Sequence, residues 1–164
     1  MSPRRGSMVN RGRAVHGEHI PSRVIREGPK RKTPEIISCW SMHMVSERLR
    51  HCVETLEPGV HQFFKVEILW LDGSFAAERY FMVVCNRLDA IDRGLTTMRL
   101  KGVLWEPVPG GTNEIVLDVD RCQGHHLWRD KHLISALFVS DELADALGRI
   151  GIAGMELRRV RMTE

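Results

Sequence analysis

Between Ser46 and Leu71 the apolar residues change their spacing, and that change constrains the fold more than any other feature of the chain. Leu49, Cys52, Val53 and Leu56 fall at i, i+3, i+4 and i+7, which places them on one stripe of a helix. Ser46 suits the N-cap, because its hydroxyl can accept from an unpaired amide of the first turn. Glu47 beside it favours the positive end of the helix dipole, and Pro58-Gly59 ends the helix. The next segment, Val60 to Leu71, carries Phe63, Phe64, Val66, Ile68 and Trp70, the aromatic and β-branched composition of a strand. Asp72-Gly73 marks a turn and Tyr80 to Cys85 reads as the returning strand, with a loop through Ser74 to Glu78 longer than two residues. A striped helix and a strand must bury their apolar faces together, so the chain is predicted to be α+β.

The second half repeats these signals. Val103 to Pro107 and Glu114 to Val119 read as another hairpin around Pro109-Gly110-Gly111. Within it Ile115, Leu117 and Val119 alternate with Val116, Asp118 and Asp120, which suits a sheet with one wet face. His125 to Trp128 reads as a further short strand. Val139-Ser140-Asp141-Glu142-Leu143 echoes Val45-Ser46-Glu47-Arg48-Leu49, and the stripe Leu143, Ala146, Leu147, Ile150 matches the earlier one position for position. Gly59-Val60 and Gly154-Met155 follow the two helices in the same way. The expected architecture is a mostly antiparallel sheet with two or more amphipathic helices and an internal helix–strand duplication.

Charge divides the chain. Residues 1–33 hold nine Lys or Arg against two Glu, a net of +7, while the rest hold fifteen against nineteen, a net of −4; together they give the overall +3. The first 33 residues are rich in Arg, Gly, Ser and Pro without an apolar face, the composition of a disordered or loosely attached basic arm. Residues 34–164 are expected to form a single α+β domain. A basic arm can contact phosphate, but no aromatic residue is interleaved for base stacking. The chain holds no run of eighteen apolar residues and its first residues lack the apolar stretch of a secretory signal, so a cytoplasmic location without membrane contact is expected. Cys39, Cys52, Cys85 and Cys122 form no Cys-x-x-Cys pair and read as free, mostly buried thiols.

Candidate chemistry is sparse. Gly124-His125-His126 resembles the histidine pairs of some nucleases, yet adjacent strand residues face opposite ways and cannot share a metal. Cys122, His126, Asp130 and His132 match no zinc spacing. Asp118 and Asp120, two apart, would put both carboxylates on one face of a strand, where a solvated surface explains them as well as acid–base work does. Asn86, Asp89 and Asp92 precede Gly94 and are natural turn and cap residues that can also belong to an acidic contact surface. Gly110-Gly111 lacks the setting of a phosphate loop, and Ser46 and Ser140 are accounted for as caps. Trp40, Trp70, Trp105 and Trp128 read as core or edge residues. The expectation is a binding protein and not an enzyme, with no cofactor and no metal.

Four blocks in succession carry a family resemblance: Val45 to Leu49, Leu88-Asp89-Ala90-Ile91-Asp92, His126-Leu127-Trp128-Arg129, and Val139 to Leu143 followed by Gly154. Across about Ile37 to Val160 the chain resembles immunity family eleven of the bacterial polymorphic toxin systems. It departs mildly at Thr96 and Thr97, where that family usually shows a serine. The resemblance implies an immunity protein that neutralises a cognate toxin encoded nearby, in systems of bacterial competition whose toxins are often nucleases. Acidic residues would then meet the cationic surface of such a toxin, with Asp89, Asp92, Asp118 and Asp120 as candidate partner contacts. The alternatives are a nucleic-acid-associated protein using the basic arm and a small metal-dependent nuclease using His125 or His126.

Overall fold

The computed structural model describes residues 12–39, 42–152 and 155–164. In chain order these form strands β1 (Arg23–Arg26), β2 (Ile36–Cys39) and β3 (Met42–Val45), helix α1 (Glu47–Leu56), and strands β4 (Gln62–Trp70), β5 (Phe75–Val83), β6 (Arg87–Leu88), β7 (Arg99–Lys101), β8 (Leu104–Glu106) and β9 (Val116–Leu117). Helix α2 (Val119–Cys122), β10 (Leu127–Asp130), β11 (Phe138–Val139), helix α3 (Asp141–Arg149) and β12 (Arg161–Met162) complete them.

The β4–β5 hairpin is the centre of a five-stranded sheet of order β1-β4-β5-β3-β2. Its turn is tighter than the sequence suggested, because β5 already begins at Phe75. Gly73 takes φ +82, and Asp72 Oδ1 accepts from both the amide and the hydroxyl of Ser74. Pairing is antiparallel throughout except where β1 runs parallel to β4. The register puts Phe63, Tyr80, Met82 and Val45 on one face, which packs beneath α1 and α3 with Leu49, Val53, Leu143 and Leu147. Val66, Ile68, Phe81, Met42 and Met44 occupy the opposite face, where Val15, Ile20 and Val24 pack against them.

That second face corrects the reading of residues 1–33 as a loose arm, as far as residues 12–33 are concerned. Val15 exchanges two hydrogen bonds with the Gln62 amide, at 2.8 and 3.1 Å, and β1 supplies an edge strand. Its charges are also engaged: Arg23 pairs with Glu67, Lys30 with Asp72, and the Arg26 guanidinium lies 4.9 Å from the Trp70 ring centre. Alternation in Arg23-Val24-Ile25-Arg26, with Val24 turned to the core, is the signal that the overall composition masked. Residues 1–11 lie outside the described residues.

A second core gathers Ala90, Ile91, Trp105, Leu117, Trp128 and Phe138 under the small sheet β11-β10-β6. Here the expected hairpin of residues 103–107 with 114–119 does not form. β8 pairs instead with β7 across Gly102, and β9 pairs in parallel with β12. Asn113 closes the intervening loop on itself, its side chain bonding the amide and carbonyl of Val108, so the two segments are not brought into register. The strand expected from His125 starts at Leu127 and runs to Asp130, buried at all four positions.

Helices α1 and α3 have matching N-termini. Ser46 and Ser140 share extended backbone angles, and each hydroxyl accepts from the amide three residues on at 3.2 Å. Each serine amide also reaches back across the preceding strand pair, to Glu35 and His126 respectively. The repeated unit is therefore strand pair, serine, helix. Arg48 of α1 donates to the Ile150 carbonyl at the end of α3, tying the two units together. The exits differ, since α1 leads into the nine-residue β4 while no regular element occurs between Met155 and β12; Gly154 lies outside the described residues. All four cysteines are free; Cys122 is buried and the other three are half-buried.

Candidate functional site: an acidic recess beside the second core

Asp130 builds the floor of the site. It is 1% exposed, and its carboxylate accepts from the amides of Ala90, Ile91 and His132 at 2.9, 3.2 and 2.7 Å. Those bonds hold the chain after β6 against β10 where no regular strand could. The Ile91↔Leu117 bridge then sets this segment beside the end of β9, with Asp92 N donating to Val116 O and Asp118 N to Ala90 O, both at 2.8 Å. Residues 24 or more apart in sequence thereby converge. Asp89, Asp92, Arg93, Asp118 and Arg121 line a recess of about 420 Å³.

Three of the four aspartates chosen from sequence thus share one cavity, and the fourth, Asp120, is exposed in the adjoining turn of α2 without lining it. The strand face proposed for Asp118 and Asp120 is corrected. β9 ends at Leu117, and Asp118 caps α2, accepting from the amides of Asp120 and Arg121 at 3.1 and 3.3 Å. The alternation of residues 115–120 was the misleading signal, since Val116 and Leu117 are both buried and Val119 is exposed. Asp92 also has a local task, accepting from Gly94 N and Leu95 N.

The carboxylates lie deeper than the cations beside them. Asp89 and Asp118 are 31% and 27% exposed, against 59% for Arg93 and 56% for Arg121. Arg121 Nε lies 3.1 Å from Asp118 and its terminal nitrogen donates to the Asp89 carbonyl, whereas Arg93 only approaches Asp89, at 3.7 Å. The Nε2 of His132 is 3.5 Å from Asp89 Oδ1, a distance that leaves this oxygen buried without a hydrogen bond. His132 is held by its other nitrogen, 2.8 Å from the Val103 carbonyl, so Nδ1 carries the proton. Exposed ion pairs contribute only about 0–1 kcal/mol each, so the arginines at the mouth can be displaced at little cost. The arrangement can accept a guanidinium or ammonium group.

The histidine pair has structural partners instead. His126 Nδ1 lies 2.9 Å from Ser140 Oγ and 3.1 Å from Glu142, clipping β10 to the start of α3. His125 only approaches Glu57, at 3.9 Å. Cys122 is buried with its thiol pushed up to about 11 by burial and then by the charges of Asp118 and Asp130. Among the described residues no three His, Cys, Asp or Glu side chains are placed to hold a metal ion, and no helix is long and apolar enough to cross a membrane. Trp70, Trp105 and Trp128 are core residues, while Trp40 lies outside the described residues.

Sequence reasoning missed Glu57. This carboxylate is 6% exposed and accepts four hydrogen bonds, from His61 Nε2, Asn86 Nδ2, and the amides of His126 and Leu127, at 2.7–3.0 Å. His61 in turn accepts from Cys85 N at Nδ1, which assigns it as the neutral tautomer protonated at Nε2. Burial opposes ionisation of Glu57, but the His126 amide and then His61 and Asn86 outweigh it and hold its carboxyl below the ordinary value. Glu57 follows the last helical residue of α1, the negative end of the dipole, and an acid at that unfavourable place was the one available signal.

Comparison with known proteins adds one match. A model of an immunity protein family (Imm11) matches residues 18–162, beginning well before Pro34 and so including β1. No curated protein matches the chain.

Proposed function

Since this chain belongs to the immunity protein family Imm11, we propose that it binds and neutralises a cognate bacterial toxin encoded nearby, by stoichiometric occlusion and without turnover. The observation that carries the reading to a surface is the convergence of Asp89, Asp92 and Asp118 on one recess, with Asp120 on its shoulder. A toxin of the nuclease type presents cationic side chains to phosphate. Carboxylates set behind displaceable arginines can take such a side chain, and the same field steers the encounter. Binding there would cover the toxin's phosphate site in the cytoplasm of the producing cell, the setting of polymorphic toxin systems in bacterial competition.

The test is co-expression with the product of the neighbouring open reading frame, counting surviving cells and isolating the complex. Survival with a stable one-to-one complex supports the reading. A neighbour that is harmless, or that kills regardless, overturns it. The surface is tested separately by changing all four aspartates to asparagine, which keeps a side-chain acceptor at Asp92 and Asp118 while removing the charge. Unchanged affinity and unchanged salt dependence would move the interface elsewhere.

A further inference from the structure

Where the small sheet meets the five-stranded one, the chain buries positive charge without an opposing one. Arg129 is 4% exposed. One terminal nitrogen donates to the carbonyls of Ile134 and Ala136 at 2.9 and 3.4 Å, while its Nε–H is buried with no acceptor. Arg87 stands directly opposite Arg129 in the parallel β6–β10 pair, so the two side chains leave the sheet on the same face from strands about 4.8 Å apart. The Nε of Arg87 is likewise buried without an acceptor. Neither guanidinium forms an ion pair among the described residues. Asp130, the next residue, is turned to the other face and spent on amides.

A guanidinium cannot shed its charge, so the half-buried Arg87 repels its neighbour, and Arg129 in addition bears the cost of desolvation, unless something neutralises them. The His43 pKa is lowered, first by burial and then by the Arg129 charge. On the Arg87 side the backbone closes tightly: Gly12 has φ +65, and a Cβ there would come within 2.6 Å of Arg87 Cβ.

The geometry points to an anion site in which a small inorganic anion accepts from the Nε–H groups of Arg129 and Arg87 and bridges the neighbouring strands β6 and β10. It would use the Nε–H that each arginine buries without an acceptor and supply the missing countercharge. A halide, a single spherical acceptor, suits a position reached through one N–H from each arginine.

The experiment is thermal denaturation of the full chain as chloride replaces gluconate at constant ionic strength, with bromide soaked into crystals and located by anomalous scattering. Chloride at about ten times its dissociation constant should raise the melting temperature by roughly 3–6 °C. Bromide should lie within hydrogen-bonding distance of both Nε atoms, and Arg129→Met and Arg87→Met should each abolish the shift. Should Arg129→Met fail to fold, Arg87→Met and the bromide position decide. A melting temperature indifferent to chloride, a shift that the variants retain, or bromide bound only elsewhere overturns the site. These measurements need no toxin, so they succeed or fail independently of the proposed neutralising role.

Discussion

Glu57 and the aspartates of the recess are carboxylates put to opposite uses. Glu57 is buried and takes four donors from three regions of the chain, leaving no oxygen for a partner. Asp89, Asp92 and Asp118 are partly exposed; Asp92 and Asp118 accept from nearby amides, and Asp89 is only approached by Arg93 at the mouth of a cavity. The first carboxylate joins α1, β10 and the residues after β5 into one body. The others stand on that body and keep negative charge facing outwards. A carboxylate with every oxygen satisfied by fixed donors is a structural part, whereas one held only on one side remains available for recognition.

Removing Glu57 should have the largest effect. Glu57→Ala leaves the amides of His126 and Leu127, Asn86 and His61 without their acceptor, and should cost about 3–5 kcal/mol in urea denaturation. A loss under about 1 kcal/mol would show that water replaces the carboxylate and would dissolve the contrast. The quadruple change of Asp89, Asp92, Asp118 and Asp120 to Asn should instead spare stability and weaken toxin binding roughly 10–100-fold, with a flatter salt dependence. A large drop in melting temperature would mean that these charges, too, belong to the framework.

Acid sharpens the same comparison. The native Glu57 carboxyl lies below its ordinary value of 4.5, so its contribution is fully present above that pH and is lost as pH falls through the lowered native value. The stability gap between wild type and Glu57→Gln, measured by denaturant midpoints from pH 6 to 3, should therefore shrink only below about 4.5. A gap that is constant over this range would contradict the assignment. Smaller effects come from the helix caps. Ser46→Ala and Ser140→Ala should each cost about 1 kcal/mol, Ser140 the more because its hydroxyl also meets His126. Asp120→Asn alone should change stability by less than about 0.5 kcal/mol, as expected of an exposed residue.

The sequence spoke most clearly where the rule is local. A serine followed by an apolar stripe specifies a capped helix within about ten residues, and both α1 and α3 appear where that pattern placed them. The β4–β5 hairpin was legible for the same reason, its turn being only longer in expectation than in fact. Short apolar runs were ambiguous. Residues 115–120 alternate like a strand, yet a single aspartate cap turned half of them into a helical turn. The basic segment from Arg23 hid a strand because four residues cannot outweigh the composition of thirty-three.

The sequence by itself determined the class of fold and the two helices with their serine caps. Only the tertiary structure decided that Asp118 joins Asp89 and Asp92 while Asp120 does not, since the Ile91↔Leu117 bridge makes that neighbourhood. Only it revealed Glu57 as the hub, because three of the four donors come from 29, 69 and 70 residues away. Caps and stripes are fixed by bonds within one or two turns of chain. A buried carboxylate is fixed by whichever donors folding delivers to it, and no spacing in the sequence records that meeting.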